Sequence, residues 1–216
     1  MFPIAPRPAT VAGALSLLLV PPSVASEPPA AAVLDELPTI HVHATVIHED
    51  AAKIASPFSV LEGDALVART AGTLGETLDG LPGVHADTFG GGASRPVIRG
   101  QTAPRVTVLS DSAGLLDASD LSPDHAVTAE PMLVQRIEVL RGPATLLYGS
   151  GAIGGVVNLL DEKVPTVVPE EGVNASVALR GGTAARERAV AAGMSARAAP
   201  GLALRLEGTA RRSDDY

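Results

Sequence analysis

The 216-residue sequence contains no cysteine and no tryptophan, and aromatic residues make up only 2% of it. The absence of cysteine excludes disulfides, thiolate nucleophiles and cysteine-ligated zinc or iron–sulfur sites. Because aromatic side chains are so scarce, any core must be built from aliphatic residues. The hydrophobic content of 46% is sufficient for such a core. The composition therefore predicts a folded protein with an aliphatic interior.

Positive charge is also scarce, with 16 Lys and Arg against 24 Asp and Glu and a net charge of −8. The basic residues form no cluster that could neutralise a phosphate backbone, so nucleic acid is not an expected partner. An acidic surface fits either solubility or a cationic ligand. No Ser/His/Asp set and no general acid–base pair of carboxylates stands out, so the sequence does not predict an enzyme.

The N-terminus has the pattern of an export signal. Arg7 precedes an apolar run at 11–20, and the small residues Ser23 and Ala25 follow it. This order predicts a signal peptide at 1–25, cleaved after Ala25 or Ser26. A run of about ten residues is too short for a membrane-spanning helix, which needs roughly 20. The alternative is a disordered tail rich in Ala and Pro.

A flexible lead-in with a strand-like segment is predicted at 26–48. Residues 27–37 are mostly Pro, Ala and acidic, a composition that cannot bury enough surface to become ordered. The next segment alternates β-branched and polar residues: Thr39, Ile40, His41, Val42, His43, Ala44 and Thr45. Such a segment can add to the edge of a partner's sheet, or it can be the first strand of the next domain.

The middle of the chain alternates short strands with short helices. Thr73 and Glu76 form a capping box for a helix through Leu78. Apolar runs between turn residues predict strands at 96–99, 105–109, 136–140 and 156–160. Pro143 is typical of the first turn of a short helix, here through Tyr148. Together these elements predict a small α+β domain.

The glycine-rich stretch 149–154 matches the G-x-G-x-x-G dinucleotide pattern. A nucleotide-binding loop of that kind leaves a strand and opens a helix. Here the stretch leaves a predicted helix and enters a predicted strand. We therefore interpret these glycines as a sharp turn.

The last part of the chain has a strict period of two. Apolar residues alternate with polar ones at 173–180, 190–194 and 202–207, with turns at Gly181-Gly182 and Pro200-Gly201. Alternating segments of about ten residues are typical of a transmembrane β-barrel. An antiparallel meander with one buried face has the same pattern, and the periodicity leaves both open.

The stretch 136–158, RIEVLRGPATLLYGSGAIGGVVN, closely resembles the end of the plug domain in TonB-dependent receptors. The segments 73–84 and 96–100 are similar to plug segments of the same family, in the same order. The resemblance covers roughly residues 38–165 and implies a plug inside a transmembrane barrel. It predicts an α+β plug domain with a small mixed sheet at 49–165, followed by the first antiparallel strands of an incomplete barrel at 166–216.

The resemblance also implies a cellular location, a function and a partner protein. Residues 39–45 occupy the position of the TonB box, so TonB is the expected periplasmic partner. The implied role is energised import of a metal or metal chelate (zinc, siderophore or haem) across the outer membrane of a Gram-negative cell. Barrels of such transporters have about 22 strands, more than 166–216 can form, so we expect a fragment or a truncated gene. The alternatives are a free-standing periplasmic metal-binding module and a non-functional product.

One loop is a candidate metal site. Asp124 and His125 lie close in sequence to Asp117, Asp120 and Glu130, and imidazole with carboxylate oxygens suits zinc. Residues 121–127 look like the corresponding loop in the zinc-uptake branch of the family, which implies zinc binding by Asp124 and His125. A solvated acidic loop is the alternative. No cofactor is expected, since zinc would be the transported substrate.

Two plug arginines are candidates for holding the plug in place. Arg99 and Arg141 each precede a glycine in the segments that carry the resemblance. Both are expected to pair with carboxylates of the barrel wall.

Overall fold

The structure, a computed structural model, describes residues 57–161, 163–165, 168–170 and 172–214. The predicted signal peptide and the segment 39–45 lie outside the described residues. All the described residues belong to one unit of the chain, Thr39–Tyr216.

A five-stranded mixed sheet is the centre of the plug. Its strands lie in the order β1-β6-β7-β4-β5, and only β4 and β7 are parallel. Their bounds are β1 Phe58–Glu62, β4 Val106–Ser110, β5 Ala113–Gly114, β6 Arg136–Leu140 and β7 Gly155–Leu160. The predicted strands at 105–109, 136–140 and 156–160 are confirmed, as is the mixed sheet.

A short helix packs a hairpin beside this sheet. Helix α2, Leu74–Leu78, begins at Thr73, whose hydroxyl accepts a hydrogen bond from the Glu76 amide, as the capping box predicts. The hairpin consists of β2, Val84–Gly90, and β3, Ala93–Ile98. Helix α1, Gly63–Arg69, connects β1 to this region.

The core is aliphatic, as the composition requires. Alternate residues of β6 point to opposite faces of the sheet: Ile137 and Val139 enter the larger cluster, and Leu140 enters a smaller one. The larger cluster also takes Leu74 and Leu78 from α2 and hairpin side chains. Burial of this one cluster therefore holds the helix and the hairpin on the sheet.

The glycine-rich connection is a close-packed turn. A 3-10 helix, Pro143–Tyr148, ends at Gly149, whose φ is 96°. A Cβ on Gly155 would lie 2.6 Å from Ile98 Cδ1 and 3.1 Å from the Leu140 carbonyl oxygen, so a larger residue does not fit. The chain passes from helix to strand here, which confirms the turn interpretation over the dinucleotide loop.

The three predicted amphipathic strands form a separate antiparallel sheet, which we call the wall. It is ordered β10-β9-β8, with β8 Val173–Gly181, β9 Arg188–Ala199 and β10 Leu202–Arg212. The Pro200-Gly201 turn between β9 and β10 is confirmed, and Gly201 has a φ of 77°.

The two faces of the wall differ in chemistry. The outward face carries exposed aliphatic side chains: Val173, Val177, Leu179, Val190, Met194, Leu202, Leu204 and Leu206. The opposite face carries the small buried residues Ala189, Ala191 and Ser195 and the half-buried ion pair of Arg205 and Glu207. An apolar outer band over a polar inner face is typical of a transmembrane barrel strand.

No helix in the described ranges is both long enough and apolar enough to cross a lipid bilayer.

Candidate functional site

The loop between residues 117 and 128, which we call the Asp117 loop, is closed at its base by one carboxylate. Asp117 Oδ1 accepts a hydrogen bond from the Ser119 amide at 2.6 Å, and Oδ2 accepts one from the Thr128 amide at 2.7 Å. Asp117 is also the N-cap of the 3-10 turn Ala118–Asp120. A single side chain therefore joins both ends of the loop.

A buried arginine fixes the same loop to the hairpin. Arg95 on β3 donates to the Ser119 carbonyl at 2.9 Å and to Asp87 Oδ2 on β2 at 2.7 Å. Its side chain is only 9% exposed. The guanidinium therefore holds the beginning of the loop against a rigid pair of strands.

The pKa values of the two carboxyl groups at the loop base, Asp117 and Asp120, are shifted in opposite directions. Burial raises the pKa of Asp117, but its hydrogen bonds with Ser119 and Thr128 outweigh burial and leave the pKa below its usual value. For Asp120, burial and the nearby Asp117 raise the pKa, and Arg95 opposes them. Its hydrogen bonds therefore stabilise the ionised form of Asp117, whereas the surroundings of Asp120 disfavour its ionised form relative to a free carboxyl group.

Replacing Asp117 by alanine is expected to loosen the loop base by about 1–2 kcal/mol, because an N-cap and a cross-loop contact are both lost. Since the folded pKa of Asp117 is lowered, its contribution is present above the ordinary carboxyl pKa and is lost as pH falls through the folded value. Hydrogen exchange at the Ser119 and Thr128 amides measures this. Asp124→Ala is the matched control, and equal exchange in the two variants would contradict the assignment.

Asp124 and His125 lie at the tip of this loop, and both are exposed. Hydrogen bonding to the Ser122 side chain lowers the pKa of Asp124. Within the described residues, no group of three or more His, Asp and Glu is placed to hold a metal. Asp117 and Glu130 are occupied at the loop base, so they do not complete a zinc site, and the zinc assignment stays a prediction.

Two large aliphatic side chains that are close to these residues in sequence are exposed. Leu116 is 98% exposed and Leu121 is 90% exposed. Leu116 immediately precedes Asp117, and Leu121 lies within the Asp117 loop. The loop region therefore offers imidazole, carboxylate and aliphatic groups to a ligand.

The plug meets the wall through charged side chains. Arg211 on β10 donates to both carboxylate oxygens of Glu130 at 3.1 Å, and it also donates to the Gly72 carbonyl. Glu130 lies two residues beyond the end of the Asp117 loop. The loop base is therefore connected to the wall as well as to the hairpin.

This contact between plug and wall is not made by Arg99 or Arg141, the two plug arginines expected to bind the wall. Arg141 is buried and donates to the Pro82 carbonyl and the Ser59 hydroxyl, both in the plug. Burial, with the charge of Arg99 second, lowers the pKa of Arg141. Arg99 is exposed, with a φ of 51°. The Arg211–Glu130 ion pair between wall and plug thus has its arginine in the wall and its carboxylate in the plug.

A family model described as the TonB-dependent receptor plug domain matches residues 50–156. This chain belongs to the TonB-dependent receptors. The match covers the plug found in the structure. Receptors of this family are outer-membrane transporters rather than enzymes, as the sequence predicts.

Curated relatives agree with the family. A hemin receptor of Yersinia pestis is 39% identical over 100 residues, which are 46% of this chain and 14% of that protein. A hemin receptor of Yersinia enterocolitica is 35% identical over 101 residues, again 46% of this chain and 14% of the relative. The matched region is thus a small part of each relative.

A solved structure has the same fold. The siderophore receptor PirA of Pseudomonas aeruginosa is 29% identical, with a TM-score of 0.56, over 76% of this chain and 30% of that one. The matched part of this chain thus corresponds to 30% of that receptor's chain.

Sequence reasoning found the loop and missed what holds it. Asp117, Asp120 and Glu130 appear in the sequence as possible ligands, whereas the structure uses Asp117 and Glu130 as anchors. Asp117 precedes a short helical turn, so its N-cap position was the available signal. Nothing local to Arg95 or Arg211 indicates their partners, which lie 24 and 81 residues away in the sequence.

Proposed function

We propose that this chain is the plug and first wall strands of a TonB-driven receptor that imports an iron chelate across the outer membrane of a Gram-negative bacterium. The observation that carries the proposal is the pairing of a family plug domain with a wall whose exposed face is aliphatic. Exposure of Leu179 at 80% and of Leu206 at 70% suits contact with lipid. A free-standing periplasmic module would leave the same face in water, so it is disfavoured.

Haem is the favoured chelate. The two curated relatives described above are hemin receptors. In this chain, His125 is exposed in the same region as Leu116 and Leu121. A neutral imidazole can ligate haem iron, and aliphatic side chains can cover part of an apolar macrocycle.

Zinc is the second candidate because Asp124 and His125 are adjacent at the loop tip. The two substrates make different demands on these residues. A haem ligand needs the imidazole but not the neighbouring carboxylate, whereas a zinc site needs both.

Titration of the protein with haem and with zinc tests the choice. If the chain imports haem, haem binding shifts the Soret band. We expect His125→Ala to lower the haem affinity by about tenfold or more and Asp124→Ala to leave the affinity nearly unchanged. His85→Ala, at an exposed histidine on β2, is the matched control. If His125→Ala and Asp124→Ala lower the zinc affinity equally and leave the haem affinity unchanged, the substrate is zinc. If His125→Ala changes neither titration, this loop does not bind the substrate.

TonB is the proposed energy source, acting on residues 39–45. Their alternating pattern suits strand addition to a partner's sheet. Deleting 39–45 is expected to abolish import and to leave ligand binding intact. Full import by the deletion variant would disprove this role.

A further inference from the structure

The guanidinium of Arg211 contacts three different segments of the chain. One terminal nitrogen donates to the Gly72 carbonyl, and the other lies 3.1 Å from both oxygens of Glu130. Its Nε lies 3.5 Å from Glu187 Oε1, in the connection between β8 and β9. A planar guanidinium can serve partners in several directions at once, which the ammonium of lysine cannot do in the same geometry.

A second wall arginine brings the cluster to two positive and two negative side chains, Arg180 and Arg211 with Glu187 and Glu130. Arg180 on β8 pairs with the same carboxylate, Glu187. The Arg180–Glu187 pair lies against Gly72: a Cβ there would be 3.2 Å from Glu187 Oε1 and 3.3 Å from Arg180 Nη1. The absence of a side chain at Gly72 therefore lets the wall ion pair approach the plug backbone.

The contacts are partly shielded from water. Side-chain exposure is 28% for Arg211, 26% for Glu130 and 15% for Glu187. A shielded network of several charges stabilises more than an isolated surface pair. Its two plug contacts lie in separate segments: Gly72 immediately precedes the N-cap of α2, and Glu130 follows the Asp117 loop.

We propose that Arg180, Glu187 and Arg211 of the wall form an electrostatic latch with Gly72 and Glu130 of the plug. The latch couples the base of the Asp117 loop to the segment in front of α2 through the wall. Displacement of Glu130 withdraws a partner from Arg211 and thereby weakens the hold on Gly72. The latch requires plug and wall to belong to one receptor, but not a particular chelate, so a failed haem titration leaves it standing.

Hydrogen exchange on the full-length receptor in detergent or outer membrane tests the coupling. Arg211→Ala is expected to raise exchange about five- to tenfold in both 70–78 and 127–133, while 136–140 in the central sheet stays unchanged. Arg211→Lys is expected to raise it in the same segments, because charge without the guanidinium geometry does not serve three partners. Arg212→Ala, one residue along the strand, is the matched control.

Glu130→Gln distinguishes coupling between the two plug segments from a local disturbance around residue 130. This variant can be measured even if Arg211→Ala does not fold. The latch predicts faster exchange at 70–78 as well as around residue 130. Faster exchange confined to 127–133 would overturn the proposal. So would a uniform rise that includes 136–140, or an equal effect of Arg212→Ala.

Discussion

Replacing Gly75 by alanine is expected to lower the free energy of unfolding of the plug by about 2–3 kcal/mol. A Cβ at this position of α2 would lie 2.3 Å from Ser94 Oγ and 2.8 Å from the Arg95 carbonyl oxygen. The second neighbour is backbone of β3, so rotation of a side chain cannot relieve the overlap. Helix α2 must move away from the hairpin and expose part of the core around Leu74 and Leu78.

Chemical denaturation followed by circular dichroism measures this loss, since the chain has no tryptophan. The matched control is Gly90→Ala, because a Cβ at Gly90 meets nothing within 4 Å. That variant is expected to change stability by less than about 0.5 kcal/mol. Equal effects of the two substitutions would show that α2 does not pack on β3 as described.

Replacing Leu204 by arginine is expected to prevent stable insertion of the wall. Leu204 is on the aliphatic outward face of β10, and arginine on the lipid face of a barrel costs about 2–4 kcal/mol near the bilayer midplane. Recovery of protein in the outer membrane is the measurement. The matched control is Thr209→Arg. Thr209 lies on the opposite face of β10, the same face as Arg211. A comparable loss of outer-membrane protein in both variants would contradict the assignment of the faces.

The elements that local rules predict are those with local causes. Strand β6 has turn residues at its end and a β-branched interior, and the prediction of 136–140 matches it. The cap of α2 depends on residues three apart, so the sequence contains all of it. The strict alternation after residue 172 likewise predicts all three wall strands.

Elements with distant causes were not predicted. Strand β1 forms because it pairs with β6 about 80 residues later, and no residue pattern within 58–62 indicates that partner. Strand β2 was also not predicted, for a different reason: its partner β3 is close in sequence, but β2 contains Asp87 and Gly90, which are uncommon in strands. Tertiary pairing overrides weak local propensity in both cases.

The candidate site divides in the same way. The residues at its tip, Asp124 and His125, can be read from the sequence because their chemistry is local. Its anchors, Arg95 and Arg211, acquire their roles only when the fold brings Ser119 and Glu130 to them. A sequence therefore indicates which groups a loop offers to a ligand before it indicates what holds that loop.

The central claim, that a plug lies against the inner face of a membrane wall, is tested most directly with single cysteines, because the chain has none of its own. Ser176 and Val177 are neighbours on β8 and point to opposite faces. A fluorophore on Val177→Cys should be quenched by brominated lipid, and one on Ser176→Cys should not. Equal quenching at both positions, or quenching at Ser176→Cys alone, would contradict the account.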